Sequence, residues 1–189
     1  MLRLPDGTII GQSISILEYL EDICDAPSHD WEKALASQSK QQTMRGLTSV
    51  EKAATRCAMG LIDEAQIYFS NACRKGTAIY AAQGKVPSEE AARYSIEMCR
   101  KALSQVDGYY KTEERLVSIT DAPSTLADCM LYSLLQFARN FYGVELLTKD
   151  MKNLQKFSKR FGKRQSVAVG EGLYPPELVE QAKKWIVEF

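Results

Sequence analysis

A chain of 189 residues is long enough for one large domain, or for a small piece joined to a larger one. Its 24 Lys and Arg residues balance its 24 Asp and Glu residues, so net charge does not favour nucleic acid, a membrane surface or an acidic partner. No apolar stretch approaches a membrane span, and the N-terminus lacks the basic and apolar regions of a secretory signal. The five cysteines are scattered and form no Cys-x-x-Cys pair, which is typical of a reducing compartment. We therefore expect a cytoplasmic protein that binds neither nucleic acid nor membranes.

The first predicted elements are a β-hairpin and a helix that follows it directly. Two short apolar runs, Leu2–Leu4 and Thr8–Ile10, flank an Asp-Gly turn. This is a strong hairpin signal, because glycine adopts the positive φ of the turn at little cost. The helix begins at Gln12-Ser13, and its apolar face carries Ile14, Leu17 and Leu20. Its first N–H groups and the Ser13 hydroxyl face open space, so this helix terminus favours a carboxylate.

A polar linker and an all-α bundle follow. Residues 24–47 form the linker, in which the region from Trp31 to Leu35 favours a short helix. Thr48 and Glu51 have the spacing of a capping box. The long helix that they begin ends at Gly76, and its predicted apolar stripe is Val50, Ala53, Cys57, Leu61, Ala65, Tyr68 and Ala72.

Apolar periodicity predicts four more helices. The buried faces of the first three are expected to carry Ala92, Ile96, Cys99, Leu103, Val106 and Tyr110; then Leu126, Met130, Leu134, Phe137 and Phe141; then Met151, Leu154, Phe157 and Phe161. The last helix begins at Pro175-Pro176-Glu177 and is expected to run to the C-terminus.

The helix after Thr125 begins with a reciprocal capping motif. The Thr125 hydroxyl can accept from the N–H of Asp128, while the Asp128 carboxylate can accept from the N–H of Thr125. The same spacing occurs at routine helix starts. We expect this pair to contribute to folding and not to ligand binding.

Two segments in the same order resemble the glutathione S-transferase family. Residues 2–20 are similar to the second half of its thioredoxin-like domain. The similarity lies in a strand, an Asp-Gly turn, a second strand, the Gln-Ser pair and the run Ile-Leu-Glu-Tyr-Leu. Ser124-Thr125-Leu126-Ala127-Asp128 and the segment from Met151 to Phe157 are similar to parts of its helical domain. The resemblance implies a mainly α fold, with a partial thioredoxin-like domain over 1–23, a linker over 24–47 and an all-α C-terminal domain over 48–189.

The resemblance also implies a site and its ligands. Glutathione would be the cofactor, and Gln12 and Ser13 would hold its γ-glutamyl carboxylate. The protein would be a homodimer that acts on a small electrophile. The positions that would line the electrophile pocket are Arg56, Met59, Glu64, Tyr68 and Phe69. Asp63 or Glu64 would reach the glutathione amine across the dimer. A simpler alternative for Ser13 is a helix cap, and for Tyr68 a place in the core.

The sequence departs from the family at its catalytic residue. The resemblance begins at Met1, and no residue matches the family's thiol-activating Tyr, Ser or Cys or its cis-proline, so we assign no catalytic residue. Two functions of different classes remain open. One is a glutathione-dependent transferase or cis–trans isomerase, favoured by Gln12-Ser13. The other is a non-catalytic docking or oligomerisation module, favoured by the absent thiol-activating residue.

Other polar clusters give weaker signals. His29 is the only histidine, so one chain cannot form a two-histidine metal site, and Cys24, His29 and Asp30 are expected to lie in the solvated linker. We expect no metal centre. The basic residues Lys152, Lys156, Lys159, Arg160, Lys163 and Arg164 have helical spacing and are expected to form a solvated face.

Overall fold

A computed structural model describes residues 1–39, 43–111, 124–167 and 173–187. Within them the protein is mainly helical, with a single two-stranded sheet. The elements are β1 (Leu2–Arg3), β2 (Ile9–Ile10), α1 (Ser13–Asp25), α2 (Asp30–Gln38), α3 (Ser49–Gly76), α4 (Ala78–Ala81), α5 (Glu89–Tyr109), α6 (Leu126–Asn140), α7 (Lys152–Phe161) and α8 (Pro176–Lys183), with a 3-10 turn at Gln165–Val167. None of the described helices is long and apolar enough to cross a membrane.

The N-terminal hairpin is confirmed. Leu2 pairs with Ile10 in antiparallel register, and the N–H of Leu4 donates to the carbonyl of Thr8 at 2.8 Å. Gly7 has a φ of 89°, which the turn requires. The Asp6 carboxylate accepts from the N–H of Thr8 at 2.9 Å, so the turn residues stabilise their own geometry.

The core is built around α3, which packs against α5 along most of its length and against α6 on a second side. All six residues of the predicted α5 face are buried, as are Met151, Leu154, Phe157 and Phe161 of α7. Periodicity located these faces because each helix presents a single apolar side to the bundle.

The predicted stripe on α3 is wrong over the first half of the helix. Val50 is 80% exposed, and Ala53 and Cys57 are also exposed. The buried residues of α3 are Thr55, Ala58, Met59, Ile62, Ala65, Phe69, Ala72, Cys73 and Gly76. The first turns of α3 bury no residue before Thr55, so the apolar side chains there have no core to face. Small residues on several sides of α3 leave its periodicity ambiguous.

Two residues predicted to face the core of α6 are less buried than expected. Met130 is half-buried, and the Phe137 side chain is 37% exposed. Both lie at cavities between α6 and α3. An apolar residue that lines a cavity has the same place in the periodic pattern as one in the core, so the pattern cannot distinguish the two environments.

The last helix is shorter than predicted. It ends at Lys183, and Trp185 then forms a backbone bridge with Thr77 beside the end of α3. The N–H of Ile186 donates to the carbonyl of Gly76 at 2.8 Å, and the Trp185 indole N–H donates to the carbonyl of Tyr142 at 2.9 Å. The extended tail thereby satisfies carbonyl groups that the end of α3 would leave without a partner.

The predicted linker contains regular structure. α1 extends to Asp25, and α2 lies within residues 24–47. The Glu32 carboxylate accepts from the N–H groups of Ser28 at 2.6 Å and His29 at 2.9 Å, which closes the start of α2. The backbone hydrogen bonds from His29 and Ser28 hold the pKa of Glu32 below its usual value.

Candidate functional site

The start of α1 combines an unusual backbone with exposed polar side chains. Gln12, at the N-cap position, has φ 63° and ψ 133°, and it is the one non-glycine residue with positive φ in the described parts of the chain. Its side chain makes no capping hydrogen bond, and both Gln12 and Ser13 are exposed. A strained conformation of this kind costs about 1–3 kcal/mol and is typical of ligand-binding positions.

A cleft of about 480 Å³ lies between the start of α1, the middle of α3 and the first turns of α6. This volume is within the usual range for a small-molecule site. α1 contributes both polar and apolar groups, whereas α3 contributes polar groups only. The described lining residues are Gln12, Ser13, Ile14, Ser15, Leu17, Asp63, Gln66, Cys129, Met130 and Ser133.

A second cavity of about 130 Å³ lies further along the groove between α3 and α6. Gln66 and Ser133 line both spaces, so the second cavity adjoins the cleft. Its other described lining residues are Phe69, Ser70, Leu134, Phe137 and Tyr174. The rings of Phe137 and Tyr174 lie 6.1 Å apart between centroids. The volume is close to that of an apolar cavity of about 150 Å³ that holds a benzene ring.

The electrostatics of the cleft suit a zwitterion. Asp63 is the one carboxylate among the described lining residues. The start of α1 supplies N–H donors and the positive end of the helix dipole. A ligand with neighbouring ammonium and carboxylate groups matches this pair of features.

The cleft also contains a thiol, that of Cys129. Burial and the nearby Asp128 charge raise the pKa of this thiol, outweighing the opposing effect of Arg164. Cys129 is therefore protonated at neutral pH and is a poor nucleophile.

The structure brings together only some of the residues proposed from the sequence. Gln12 and Ser13 line the cleft, and Phe69 lines the second cavity. The other four are not among the described lining residues of either space: Arg56, Met59, Glu64 and Tyr68.

Each of those four has a different environment. Met59 is only 3% exposed within the core, and Tyr68 is half-buried against the core. Glu64 is exposed, and the Nε of Arg56 lies 3.9 Å from a carboxylate oxygen of Glu18.

Gln66 and Ser133 were not anticipated as site residues. Asp63 and Gln66 lie three positions apart on α3 and so share one helix face. That spacing was the one available signal. Nothing in the sequence indicates that Ser133 lies beside them, because the approach of α6 to α3 is a property of the tertiary structure.

Thr125 and Asp128 lie at the start of α6. The N–H of Thr125 donates to Asp128 Oδ2 at 2.8 Å, and the N–H of Asp128 donates to the Thr125 hydroxyl at 3.3 Å. The Tyr110 hydroxyl, which the sequence did not connect to this motif, donates to Asp128 Oδ1 at 2.6 Å. Asp128 is 9% exposed.

Comparisons of the chain with protein-family models, with curated proteins and with solved structures found no match. No group of three or more His, Cys, Asp or Glu side chains is placed to hold a metal ion in the parts of the chain that the structure describes. The functional argument therefore depends on the cleft itself.

Proposed function

We propose that the protein binds glutathione in the cleft at the start of α1 and acts on a small electrophile, as a glutathione S-transferase-like enzyme. The observation that carries the proposal is the left-handed Gln12 at a helix start that opens into a ligand-sized cleft. The γ-glutamyl carboxylate accepts from the Ser13 N–H and hydroxyl, next to Gln12. The γ-glutamyl ammonium pairs with Asp63, the carboxylate that α3 contributes.

The adjoining cavity supports a small, planar electrophile. Its aromatic residues Phe69, Phe137 and Tyr174 suit an apolar group about the size of one ring. In a conjugation, the glutathione sulfur bonds to one carbon of an electron-poor double bond, the π electrons take up the thiol proton at the other carbon, and the adduct with its new single bond is released. In a cis–trans isomerisation, the same bond forms, rotation follows, and the thiol leaves again. We assign no side chain to activation of the thiol.

A second candidate function is a non-catalytic module for docking or oligomerisation. Large apolar side chains on the hairpin and on α3 support it, because Ile9 and Ile67 are both 61% exposed and Val50 is 80% exposed. Under either candidate we propose a homodimer that covers these side chains. Glutathione binding without turnover of any electrophile would favour the module over the enzyme.

The test is a titration of the protein with glutathione, in which NMR or calorimetry measures the binding. We expect an affinity on the order of millimolar, or about −4 kcal/mol. Hydrogen bonds to charged groups contribute about 1.5–3 kcal/mol, so Ser13→Ala should weaken binding about ten-fold or more. The backbone N–H remains in this variant, so some affinity should persist.

Ser104→Ala is the matched control, because Ser104 is an exposed serine on α5 that does not line the cleft among the described residues. It should bind glutathione like the wild type. Amide shift changes should concentrate at Gln12–Leu17 and at Asp63 and Gln66. If the wild type shows no binding at a glutathione concentration about ten times the expected millimolar Kd, the proposal is wrong.

A further inference from the structure

The segment Thr43–Arg45 connects α1 to the start of α6, and we infer that Arg45 is a positioning residue for the cleft. It holds the acidic face of α1, and with it Gln12 and Ser13, in register with α6. The measurement of glutathione affinity that tests this role depends on the proposed function. The hydrogen bonds and ion pairs that support the role do not depend on it.

The first part of the connection is made by a carboxylate, a hydroxyl and backbone groups. A single carboxylate oxygen of Glu21, on α1, accepts from the Thr43 hydroxyl and from the N–H of Met44, both at 2.7 Å. The carbonyl of Met44 accepts from the N–H of Leu126, the first residue of α6, at 3.0 Å. One residue therefore bonds to both helices that form opposite parts of the cleft.

Arg45 adds a charged contact along α1. Its side chain is 11% exposed. The guanidinium donates through Nη1 to Glu18 at 3.2 Å and to Asp22, and through Nη2 to Asp25 at 2.7 Å. These three carboxylates are spaced four and three residues apart, so they share one face of α1. Loss of the guanidinium would leave them as close like charges without this shared partner.

Apart from Ile23, which is buried but is not part of the core of the bundle, the apolar residues of α1 are only partly buried, so the contact with Arg45 adds to the attachment of this helix. Ile14 and Leu17 pack against the core while only partly buried, and both also line the cleft. A helix of 13 residues moves as a rigid rod about 20 Å long. A shift at its acidic end therefore displaces Gln12 and Ser13 at the other end.

The experiment compares Arg45→Ala with Arg45→Lys and with Arg93→Ala. Arg93 forms an exposed ion pair with Glu89 on α5, so its variant removes a guanidinium that does not contact α1. Arg45→Ala should speed amide hydrogen exchange in residues 16–25, whose N–H groups are the ones bonded within α1, about ten-fold or more, since charged hydrogen bonds are lost. Exchange in α3 and α5 should stay at the wild-type rate. Arg45→Lys should restore part of the protection, and Arg93→Ala should match the wild type.

Glutathione affinity is the second readout. It should fall about ten-fold in Arg45→Ala and recover in part in Arg45→Lys. If the wild type does not bind glutathione, the proposed function fails, while the exchange measurement still tests the connection. If Arg45→Ala does not fold, Thr43→Val takes its place: it removes one hydroxyl donor to Glu21 and should speed exchange in α1 alone.

Two results would overturn the inference. One is wild-type exchange throughout α1 in a folded Arg45→Ala protein. The other is faster exchange to the same degree in α1, α3 and α5, because Arg45 would then act on general stability and not on the position of α1.

Discussion

Among single residues, Asp128 contributes to stability in two ways. Its carboxylate caps α6 through the Thr125 N–H and accepts the buried Tyr110 hydroxyl. Loss of a cap costs about 0.5–2 kcal/mol, and a buried hydroxyl without a partner costs about 1–3 kcal/mol. Asp128→Ala should therefore lower the free energy of unfolding by about 1.5–5 kcal/mol, the sum of the two. Thermal denaturation should show a drop of about 2–4 °C for each kcal/mol in a chain of this length.

A double-mutant cycle separates the two contributions. Tyr110→Phe removes the hydroxyl, so in that background Asp128→Ala should cost only the cap. Thr125→Ala, which removes the hydroxyl cap and keeps the bond from Tyr110, should cost less than Asp128→Ala. Strictly additive losses for Asp128→Ala and Tyr110→Phe would show that the 2.6 Å contact does not contribute.

The cysteines should differ sharply in reactivity. Cys57 is exposed, whereas Cys73 and Cys99 are buried. Burial raises the pKa of both buried thiols, that of Cys99 to about 12. Since the thiolate is the reactive form, a disulfide reagent at neutral pH should label Cys57 first and leave Cys73 and Cys99 unlabelled until the protein unfolds. Peptide mapping by mass spectrometry measures the order, and native labelling of Cys99 at the rate of Cys57 would contradict it.

At the scale of the elements, the end of α3 and the C-terminal tail fit through a glycine. A Cβ placed on Gly76 would lie 3.0 Å from the Ala92 Cβ and from two ring carbons of Trp185. Overpacking of this kind costs about 1–3 kcal/mol, and the preference of a helix for alanine offsets up to about 1 kcal/mol of it, so Gly76→Ala should lower the free energy of unfolding by up to about 2 kcal/mol. Urea denaturation gives the measurement.

Gly60 provides the control within the same helix. A Cβ there meets no atom within 4 Å, and glycine is about 1 kcal/mol less favourable than alanine inside a helix. Gly60→Ala should therefore stabilise the protein by up to about 1 kcal/mol. Equal effects of the two substitutions would mean that Trp185 does not pack against Gly76.

The difference between α5 and α3 shows what a sequence can predict. α5 has one clear apolar face, so the six residues predicted to lie on it are all buried. α3 packs against both α5 and α6, and its first turns bury no residue before Thr55, so no single periodic stripe describes it. The start of α7 illustrates the same limit, because Asp107 of α5 accepts from the N–H of Leu154 at 2.8 Å. A cap supplied by another helix leaves no local pattern.

Only the part of the site at the start of α1 could be predicted from the sequence. The Asp-Gly turn and the Gln-Ser pair are close in the chain, separated only by the second strand and Gly11, so the sequence indicated an open helix start at Ser13. The cleft also needs Gln66 and Ser133, which meet only after α3 and α6 pack together. Both are ordinary polar residues, and polarity alone does not distinguish a cleft from solvent.

For the whole molecule, we expect a homodimer in solution. Val50 and Ile67 of α3 are 80% and 61% exposed, and Ile9 of the hairpin is 61% exposed. Burial of a large apolar side chain contributes about 1.5–3 kcal/mol, which favours a second copy as the cover. Light scattering should give about twice the 21.2 kDa of one chain.

Charged substitutions locate the interface. Val50→Asp and Ile67→Asp should shift the protein towards the monomer. Val86→Asp should not, because Val86 is 75% exposed but lies outside α3 and the hairpin. A wild-type protein that is monomeric at micromolar concentration contradicts the expectation directly.

The backbone bridge between Thr77 and Trp185 also has a consequence for the order of folding. It joins two segments that are separated in sequence by the five helices from α4 to α8, so it is a contact of high sequence separation. Such a contact forms late, because closing the long intervening loop costs chain entropy before the contact can repay it. The α3–α5 hairpin closes a far shorter loop and forms earlier. We therefore expect the carbonyl of Gly76 to stay hydrated until late in the folding reaction, when the tail docks.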